Sequence, residues 1–427
     1  SDFGRNAEST FSTVDRRWFA KRLLEVVVEI AAIMLIVLGC VLAMPVTLLV
    51  IECIAACLPT RPAIDDDSRP DRPRVGVLIP AHNEAAGIAR TIHSVKTQLL
   101  DGDQILVVAD NCSDDTARLA RELGAEVVER EDTSKRGKGF ALDAGVQQFA
   151  NSDVTQVLFV DADCTLGDGA LDRMSRTADV CDAPVQCLDR MLWKETPGPG
   201  QQIAEFAWNV KDQVRPLGLS RLGNCCPIFG TGMLIPMHLL LRLDLANNHL
   251  AEDTKMTLDL AQLGAAPRFC PDADVTSFFP DSQESQRTQR LRWEHGHLTM
   301  ITRYGVPAFI RGLLRADLKL MLLSLDVCIP PLSFLVWVLM GGLVLSIGPL
   351  VFGHPMPSVL FASLGSAVVV ATLMVWLRFA RNQLTITSIL MIPWYILAKS
   401  TIYLRYFMRR EDHWIRAERE SENEAVT

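Results

Sequence analysis

The sequence lacks the paired cysteines of a structural metal site. Its 11 cysteines include no CxxC pair, and three of them, Cys40, Cys53 and Cys57, fall within an apolar run. Structural zinc sites use such pairs, and disulfide frameworks belong to oxidising compartments. We therefore expect neither, and we expect reduced thiols that face a cytoplasm.

Two nucleotide-binding loops are also missing. A GxGxxG motif should directly follow the first strand of a dinucleotide-binding domain, but the strand at 75–80 leads into PAHNE instead. The P-loop GxxxxGK[ST] is absent, although Gly137-Lys138-Gly139 has a superficial likeness to it. These absences argue against a dinucleotide cofactor and against a P-loop NTPase.

An excess of positive charge is lacking as well. Lys and Arg number 42 against 50 Asp and Glu, so the formal net charge is -8 and the pI is about 5.6. Nucleic-acid binding rests mainly on basic side chains that neutralise phosphates. We therefore expect no nucleic-acid partner.

Long hydrophobic runs are present instead. Hydrophobic residues make up 49% of the chain, and the mean hydropathy is +0.19. The uncharged stretch Ile30 to Ile51 is long enough, at about 1.5 Å per residue, to cross a hydrocarbon core of roughly 30 Å. Val327 to Phe352 and Pro355 to Leu377 predict a transmembrane hairpin. Asn382 to Ala398 is shorter and contains Pro393, which favours a position at the membrane interface.

The sequence leaves the direction of the first crossing open. Basic residues at positions 16, 17, 21 and 22 precede it, and the positive-inside rule would put them in the cytoplasm and the following domain outside. Pro45 and Gly39 could bend 23–58 into a short hairpin, or the first loop could violate the rule. The motifs described below favour a cytoplasmic domain. We therefore expect a multi-pass protein of the inner membrane with a cytoplasmic catalytic domain.

Strands alternate with helices between the membrane segments. VGVLIP (75–80), QILVVAD (104–110), AEVVER (125–130) and TQVLFVDAD (155–163) are apolar runs typical of strands, and a helical pattern follows the first of them. This alternation predicts an α/β domain with a mostly parallel sheet. Ligands bind such a sheet beyond the carboxyl ends of its strands.

The DAD sequence at 161–163 ends the last of these strands. Two carboxylates on a tight turn, Asp161 and Asp163, can reach one divalent cation that bridges diphosphate oxygens. Such a turn can also merely cap the following helix. The context of other motifs favours the metal interpretation.

Two further motifs are candidates for donor binding. Lys135, Arg136 and Lys138 lie in a glycine-flanked loop before a helix, where cations can meet a phosphate, although a solvated loop explains them equally well. Asp110 ends the second strand and could accept from a ribose hydroxyl or a base. Its alternative role is a local turn.

Ala251-Glu252-Asp253-Thr254 precedes an apolar helix. The two carboxylates could be first-turn residues that the helix dipole favours. In the functional interpretation, Asp253 is a general base that takes a proton from an acceptor hydroxyl.

The sequence QRLRW at 289–293 predicts a helix face that carries three functional groups. Gln289, Arg292 and Trp293 lie at i, i+3 and i+4. An arginine suits a diphosphate and an indole suits a sugar, although an ordinary amphipathic helix remains an alternative. Phe229-Gly230-Thr231-Gly232 could let an acceptor sugar approach the backbone closely, or could be a plain glycine turn.

Taken in order, these motifs resemble those of the family 2 inverting glycosyltransferases. The likeness is greatest to the membrane-integrated branch with the cellulose, chitin, hyaluronan and poly-N-acetylglucosamine synthases, and it covers residues 75 to 297. It implies a GT-A fold, Mg²⁺ or Mn²⁺ as cofactor, and a cytoplasmic nucleotide-diphosphate-sugar donor, most simply UDP-linked. The other partners implied are a glycan or lipid-linked acceptor and membrane lipids.

The resemblance also implies a role for each matching residue. Asp253 would be the catalytic base, and Asp161 and Asp163 would hold the metal. Donor-binding residues would be Pro80, Ala81, Asn83, Glu84, Asp110, Lys138, Asp161 and Arg292. Acceptor-binding residues would be Gly230, Thr231, Gly232, Glu252, Gln289 and Trp293.

Two positions depart from the family pattern. Ala109 stands before Asp110 where a second Asp is common, and Ala251 stands before Glu252 where Thr is common, so substrate contacts there are expected to differ. We expect a sugar to be transferred to a growing polysaccharide, with single transfer to a lipid acceptor, such as a polyprenyl-linked carrier or a ceramide-like lipid, as the alternative. A catalytically silent membrane scaffold would bind donor without turnover.

The expected organisation has seven segments. They are an N-terminal segment (1–22), a transmembrane segment (23–58), a linker (59–73), a cytoplasmic catalytic domain (74–300), an amphipathic interfacial helix (301–326), a transmembrane hairpin (327–377), and an interfacial helix with a C-terminal tail (378–427). The interfacial helix at 301–326 is predicted from Arg311, Arg315 and Lys319, which recur every four residues and suit an anionic leaflet.

Overall fold

The computed structural model describes residues 13–59, 72–247, 251–280, 282–400 and 403. The start of the N-terminal segment, residues 60–71 of the predicted linker, and the WIRAERE sequence of the tail lie outside the described residues.

One sheet organises the middle of the described chain. Its strands follow the spatial order β3-β2-β1-β4-β7-β6-β8-β5. They are β1 (Val75–Ala81), β2 (Gln104–Asp110), β3 (Glu126–Arg130), β4 (Gln156–Phe159), β5 (Thr165–Leu166), β6 (Val185–Leu192), β7 (Met233–Pro236) and β8 (Arg268–Phe278).

The strands that the sequence predicts are confirmed. β1, β2, β3 and β4 lie within the four predicted runs, extended by one residue at Ala81, and they pair in parallel. Along β1, Val77 and Ile79 join the core on one face of the sheet while Leu78 joins the core on the other. Because both faces are covered, the strand is apolar throughout instead of alternating.

The sheet is mixed, which corrects the expectation of a mostly parallel sheet. β7 pairs antiparallel with both β4 and β6, and β5 pairs antiparallel with β8. The turn before β7 contains Gly230 and Gly232 in the left-handed region, at φ 84° and 59°. Glycine accepts this conformation without strain, and β7 begins directly after the turn, against the direction of β4. The alternation of strands and helices carries no signal for such a reversal.

Helices surround the sheet and continue beyond it. Within the described residues they are α1 (Thr13–Cys57), α2 (Ile88–Lys96), α3 (Thr116–Glu122), α4 (Lys138–Phe149), α5 (Ala170–Cys181), α6 (Pro199–Asn209), α7 (Arg215–Gly223), α8 (Met237–Leu240), α9 (Glu252–Gln262), α10 (Gln283–Met300), α11 (Val306–Arg315), α12 (Leu318–Val327), α13 (Leu332–Leu345), α14 (Ile347–Val351), α15 (Met356–Val375) and α16 (Ile386–Ala398). π-helical turns at Val210–Val214, Ile301–Gly305 and Trp376–Ala380 interrupt them.

Three helical stretches are long and apolar enough to cross a membrane. They are Trp18–Cys57, Leu332–Val351 and Met356–Ala380, with mean hydropathies of 2.9, 2.2 and 2.2. The first is one uninterrupted helix although it contains Pro45, so the alternative of a hairpin within 23–58 is wrong. A proline removes one backbone donor, and a helix this long retains its other bonds. Where the sequence predicts a transmembrane hairpin, at 327–377, the structure has two apolar helical stretches, and Pro330 and Pro331 precede the first of them at Leu332.

The predicted single helix over 301–326 is divided in two. α11 ends at Ala316, which has a left-handed φ of 52°, and the Asp317 side chain then caps α12 by accepting from the Leu320 amide. Arg311 and Arg315 therefore lie on a different helix from Lys319. α11 exposes Leu313 and Leu314 beside its arginines and keeps the predicted amphipathic character.

A buried ion cluster joins α1 to α7 and α12. Arg215 of α7 lies 2.7 Å from an Asp326 carboxylate oxygen of α12 and 3.6 Å from a Glu52 carboxylate oxygen of α1. α7 and α1 touch at the backbone, since a Cβ on Gly218 would lie 2.2 Å from the Glu52 carbonyl. The long apolar helix α1 is therefore fixed directly to the part of the chain that carries the motifs.

Candidate active site

One cavity of about 730 Å³ collects nearly all the predicted site residues. It opens at the carboxyl ends of β1, β2 and β4, and residues of α1, α10, α13 and α16 complete its wall. The predicted residues that line it are Pro80, Ala81, Asn83, Glu84, Asp110, Lys138, Asp161, Asp163, Gly230, Thr231, Glu252, Asp253, Gln289, Arg292 and Trp293.

Gly232 is the exception, and its predicted contact with the acceptor is corrected. It is not part of the cavity wall. A Cβ at this position would lie 2.3 Å from the Cys187 sulfur, and the Gly232 amide donates to the Phe159 carbonyl. Its role is close packing of the turn against the sheet, which the motif alone does not distinguish from a substrate contact.

Lys138 connects the DAD turn to the glycine turn. Its ammonium lies 2.5 Å from an Asp161 carboxylate oxygen and donates to the Gly230 carbonyl at 2.9 Å. Burial alone would lower the pKa of Lys138, but the charges of Asp161 and Glu252 outweigh it and the pKa is raised. The side chain therefore stays cationic at the floor of the cavity, where a diphosphate can meet it.

The residues present fit a divalent metal whose other ligands come from the substrate. Asp161 and Asp163 supply two carboxylates to one wall of the cavity. In the part of the chain that the structure describes, no group of three or more His, Cys, Asp or Glu could hold an ion alone. Mg²⁺ is commonly bound by one or two carboxylates together with substrate phosphates, so a two-carboxylate site suits it.

Asp110 is held by partners that the sequence analysis missed. Arg130 lies 2.5 Å from an Asp110 carboxylate oxygen, and the Asn111 amide donates to the same oxygen at 2.9 Å. A ring nitrogen of His82 lies 2.6 Å from the Asp110 carbonyl. Parallel pairing of β2 with β3 sets Arg130 opposite Asp110, so the relevant signal was the register of two strands and not a motif.

Glu252 and Asp253 occupy the first turn of α9. This position also agrees with the alternative interpretation, in which the helix dipole favours the two carboxylates. Burial raises the pKa of Glu252 to about 7, with Lys138 opposing and the Asp253 charge adding to the shift. The Asp253 carboxylate accepts from the Thr254 amide at 2.6 Å. A Cβ on Gly230 would lie 3.8 Å from the other Asp253 carboxylate oxygen, so the glycine turn leaves that oxygen room on the cavity side.

The predicted helix that carries Gln289, Arg292 and Trp293 is confirmed as α10. It begins after Ser282, whose hydroxyl accepts from the Ser285 amide at 3.1 Å. All three side chains line the cavity, as the predicted spacing requires. The Trp293 ring lies 5.1 Å from the ring of Trp208, which the sequence analysis did not single out.

Apolar helices outside the sheet close one end of the cavity. Leu49 of α1, Leu332 of α13 and Tyr395 of α16 contribute to its wall. Lys399 donates to Glu294 at 2.8 Å and to the Ser333 hydroxyl at 2.9 Å. The cavity wall therefore extends from the DAD turn to these apolar helices.

Two models of protein families match the chain. The first, "Glycosyltransferase like family 2", matches residues 73–296, which is more than half of the 427 residues. The second, "Glycosyl transferase family group 2", matches residues 216–398. The region matched contains every motif of the cavity.

Individual proteins are also similar to parts of this chain. The probable glycosyltransferase YdaM of Bacillus subtilis (strain 168) is 27% identical over 259 residues, which are 56% of this chain and 58% of that protein. The 4,4'-diaponeurosporenoate glycosyltransferase of Staphylococcus aureus (strain USA300) is 38% identical over 92 residues, 21% of this chain and 24% of that protein. The chain thus spans less than two thirds of each of these relatives.

A solved structure shows the fold. The mannosyltransferase PcManGT from Pyrobaculum calidifontis, in complex with GDP-Man and Mn²⁺, superposes with a TM-score of 0.53 at 18% identity and covers 90% of this chain and 100% of that chain. The mixed sheet with helices on both faces is the GT-A fold that the sequence predicts.

Proposed function

Because this chain belongs to the glycosyltransferase-like family 2, we propose that it is a membrane-bound inverting enzyme that transfers a sugar from a nucleotide-diphosphate-sugar to a growing polysaccharide. One observation carries the proposal. Two carboxylates for a metal, the Lys138 cation and the Asp253 carboxylate line the same cavity. Each is what direct displacement from a diphosphate leaving group requires.

The donor diphosphate would lie between the DAD turn and α10. Lys138 and Arg292 offer positive charge from opposite elements, and Asp110 would meet the ribose or the base. When bound by Asp161 and Asp163, Mg²⁺ or Mn²⁺ would neutralise charge on the leaving diphosphate. The structure of PcManGT in complex with GDP-Man and Mn²⁺ is consistent with this arrangement.

Asp253 would act as the general base. Its carboxylate takes the proton of an acceptor hydroxyl while the hydroxyl oxygen forms a bond to the anomeric carbon. The bond between that carbon and the diphosphate oxygen breaks, and the diphosphate leaves with the electron pair. Attack opposite to the leaving group inverts the configuration at the anomeric carbon.

We place the catalytic domain on the cytoplasmic side of the inner membrane. The three apolar helices suit a membrane protein, and the domain lies between the first and the second. Since α1 is one continuous helix, the basic residues near its start would lie on the opposite side, against the positive-inside bias. Arg311, Arg315 and Arg378 would lie on the same side as the domain and would favour the cytoplasm.

A lipid acceptor that receives a single sugar is the second candidate. The observation in its favour is the far wall of the cavity, where Leu49, Leu332 and Tyr395 would suit a lipid chain. The Staphylococcus aureus relative is named for transfer to 4,4'-diaponeurosporenoate, which is consistent with this candidate. The acceptor would then be a polyprenyl-linked carrier or a ceramide-like lipid.

Turnover with a panel of nucleotide sugars tests the proposal. The detergent-purified protein is incubated with UDP- and GDP-linked sugars and Mg²⁺ or Mn²⁺, nucleoside diphosphate release is followed, and the labelled product is sized. A long product supports the polysaccharide acceptor, and a product with one sugar on a lipid supports the second candidate. Donor binding without release in any arm would contradict the proposed function and favour a silent scaffold.

A further inference from the structure

A buried carboxylate lines the cavity outside all the predicted motifs. Asp189 lies on β6 and is 5% exposed. Among the described residues, no hydrogen-bond partner reaches its Oδ1 atom. Leaving a buried carboxylate oxygen without a partner costs free energy. A substrate group that donates a hydrogen bond to this oxygen would therefore bind favourably.

An aromatic wall adjoins this carboxylate. The indole N–H of Trp208 donates to the Asp189 carbonyl at 3.3 Å, which fixes the ring beside the carboxylate. Trp208 lies 5.1 Å from Trp293 and 6.2 Å from Phe279, measured between ring centroids. All three rings line the cavity. The aromatic wall therefore includes Trp293 of the QRLRW motif on α10 and Trp208 on a second helix, α6.

A lysine lies beside this wall, and the charge of the predicted base acts on it. The Lys211 ammonium lies 4.8 Å from the Trp208 ring and 2.7 Å from the Asp212 carboxylate. Burial alone would lower the pKa of Lys211, but the charges of Asp212, Asp253 and Asp189 outweigh it and the pKa is raised. Asp189, Trp208 and Lys211 line the same cavity as the proposed base Asp253.

A π-helical turn follows Trp208. Val210–Val214 joins α6 to α7, and Trp208 and Lys211 lie before and within it. Such turns often occur at functional sites. Trp208 and Lys211 are three residues apart, which makes them neighbours on a helix surface, and both line the cavity.

We propose that Asp189 and Trp208 form a sugar-binding subsite, so that the acceptor presents a terminal sugar ring and not a bare lipid alcohol or phosphate. A carboxylate accepts hydrogen bonds from ring hydroxyls, and an indole packs against the apolar face of a sugar. A hydrocarbon chain would leave the Asp189 carboxylate unpaired. This inference rests on the proposed function, and it favours a glycan or glycolipid acceptor.

Acceptor selectivity is the first test. The purified protein receives its active nucleotide sugar and either short β-linked oligosaccharides, a glycolipid, or a polyprenyl alcohol or phosphate without a sugar. Both sugar-bearing classes are expected to act as acceptors. The lipids without sugar should have a kcat/KM lower by at least about 100-fold, because a site that hydrogen-bonds hydroxyls rejects ligands that lack them. Comparable kcat/KM for lipids without sugar would overturn the subsite.

Variants make the assignment specific. Asp189→Asn is expected to raise the acceptor KM about 10- to 100-fold, because it disrupts hydrogen bonding in a buried site, with the donor KM unchanged. Trp208→Phe should also raise the acceptor KM. Trp193→Phe is the control, because the Trp193 ring stacks on Phe279 but does not itself line the cavity, and it should leave the acceptor KM unchanged. An acceptor KM that does not change in Asp189→Asn and Trp208→Phe would contradict the inference.

A binding measurement separates this inference from the proposed function. Oligosaccharides are titrated without donor while tryptophan fluorescence is followed in the wild type and in the Asp189→Asn and Trp208→Phe variants. Binding that weakens in both variants supports the subsite even where no donor turns over. Turnover with oligosaccharide binding independent of Asp189 would overturn the subsite alone, and absence of turnover with every donor would contradict the proposed function.

Discussion

The Lys138 ammonium lies 2.5 Å from the Asp161 carboxylate, at the position where the DAD turn would bind a metal. Two cations, the lysine and the metal, would share one carboxylate. Lysine is therefore a competitor of the free metal and a partner of the bound diphosphate. The two roles predict opposite effects when the charge is removed.

Lys138→Met should strengthen Mn²⁺ binding to the protein alone and weaken nucleoside diphosphate binding. We expect a several-fold gain for the metal and about a 10- to 100-fold loss for the diphosphate, because a charge-assisted hydrogen bond is worth about 1.5–3 kcal/mol. Isothermal titration measures both affinities. Lys135→Met is the matched control, since Lys135 is exposed and outside the cavity wall. A parallel loss of both affinities would show that Lys138 does not compete with the metal.

Glu252 should give the reaction an ionisation near neutral pH. Burial raises its pKa to about 7, so the carboxyl is neutral below this pH and charged above it. The charged form makes the neighbouring Asp253 a better proton acceptor, and kcat/KM should therefore rise as the pH increases through about 7. In Glu252→Gln this limb should disappear from the pH profile. A limb that persists in the variant assigns the ionisation to another group.

The buried ion cluster should dominate the stability of the junction between α1 and the domain. Arg215→Met leaves Glu52 and Asp326 buried without their cation, and we expect a loss of about 3–5 kcal/mol. The matched control is the triple variant Glu52→Leu, Arg215→Met and Asp326→Leu, which removes the charges together and should be less destabilised than the single variant. Denaturant unfolding in detergent compares them. Equal losses in both would indicate that packing, and not charge, holds the junction.

Cys181 offers a test of orientation. It is exposed at the end of α5, on the catalytic domain. A membrane-impermeant maleimide should label it in inverted membrane vesicles and not in intact cells, and Cys181→Ala should lose that signal. Labelling of Cys181 in intact cells would place the domain outside and contradict a cytoplasmic donor.

The sequence predicts the first half of the sheet and most of the cavity because these depend on local patterns. Val77, Leu78 and Ile79 identify a strand buried on both faces, and carboxylates such as Asp110 and Asp161 follow strand ends that parallel pairing must bring together. The i, i+3, i+4 spacing of Gln289, Arg292 and Trp293 determines a shared helix face without any tertiary information.

The remaining features depend on contacts between distant segments. The antiparallel direction of β7 depends on the path of the chain between β4 and β7, and the positive φ values of Gly230 and Gly232 before this strand cannot be read from the sequence. Arg130 meets Asp110 through strand register, and Trp208 meets Trp293 through the packing of α6 near α10.

The most direct test of the central claim is the anomeric configuration of the product in the wild type and in Asp253→Asn. An α-linked nucleotide sugar is supplied with Mn²⁺ and the acceptor that the selectivity assay identifies, and the new linkage is read by NMR while donor affinity is titrated separately. We expect a β-linked product in the wild type, and in Asp253→Asn a turnover reduced by about 10²- to 10⁴-fold with donor affinity retained, as loss of a general base predicts. An α-linked product, or a variant that keeps wild-type turnover, would contradict direct displacement with Asp253 as base.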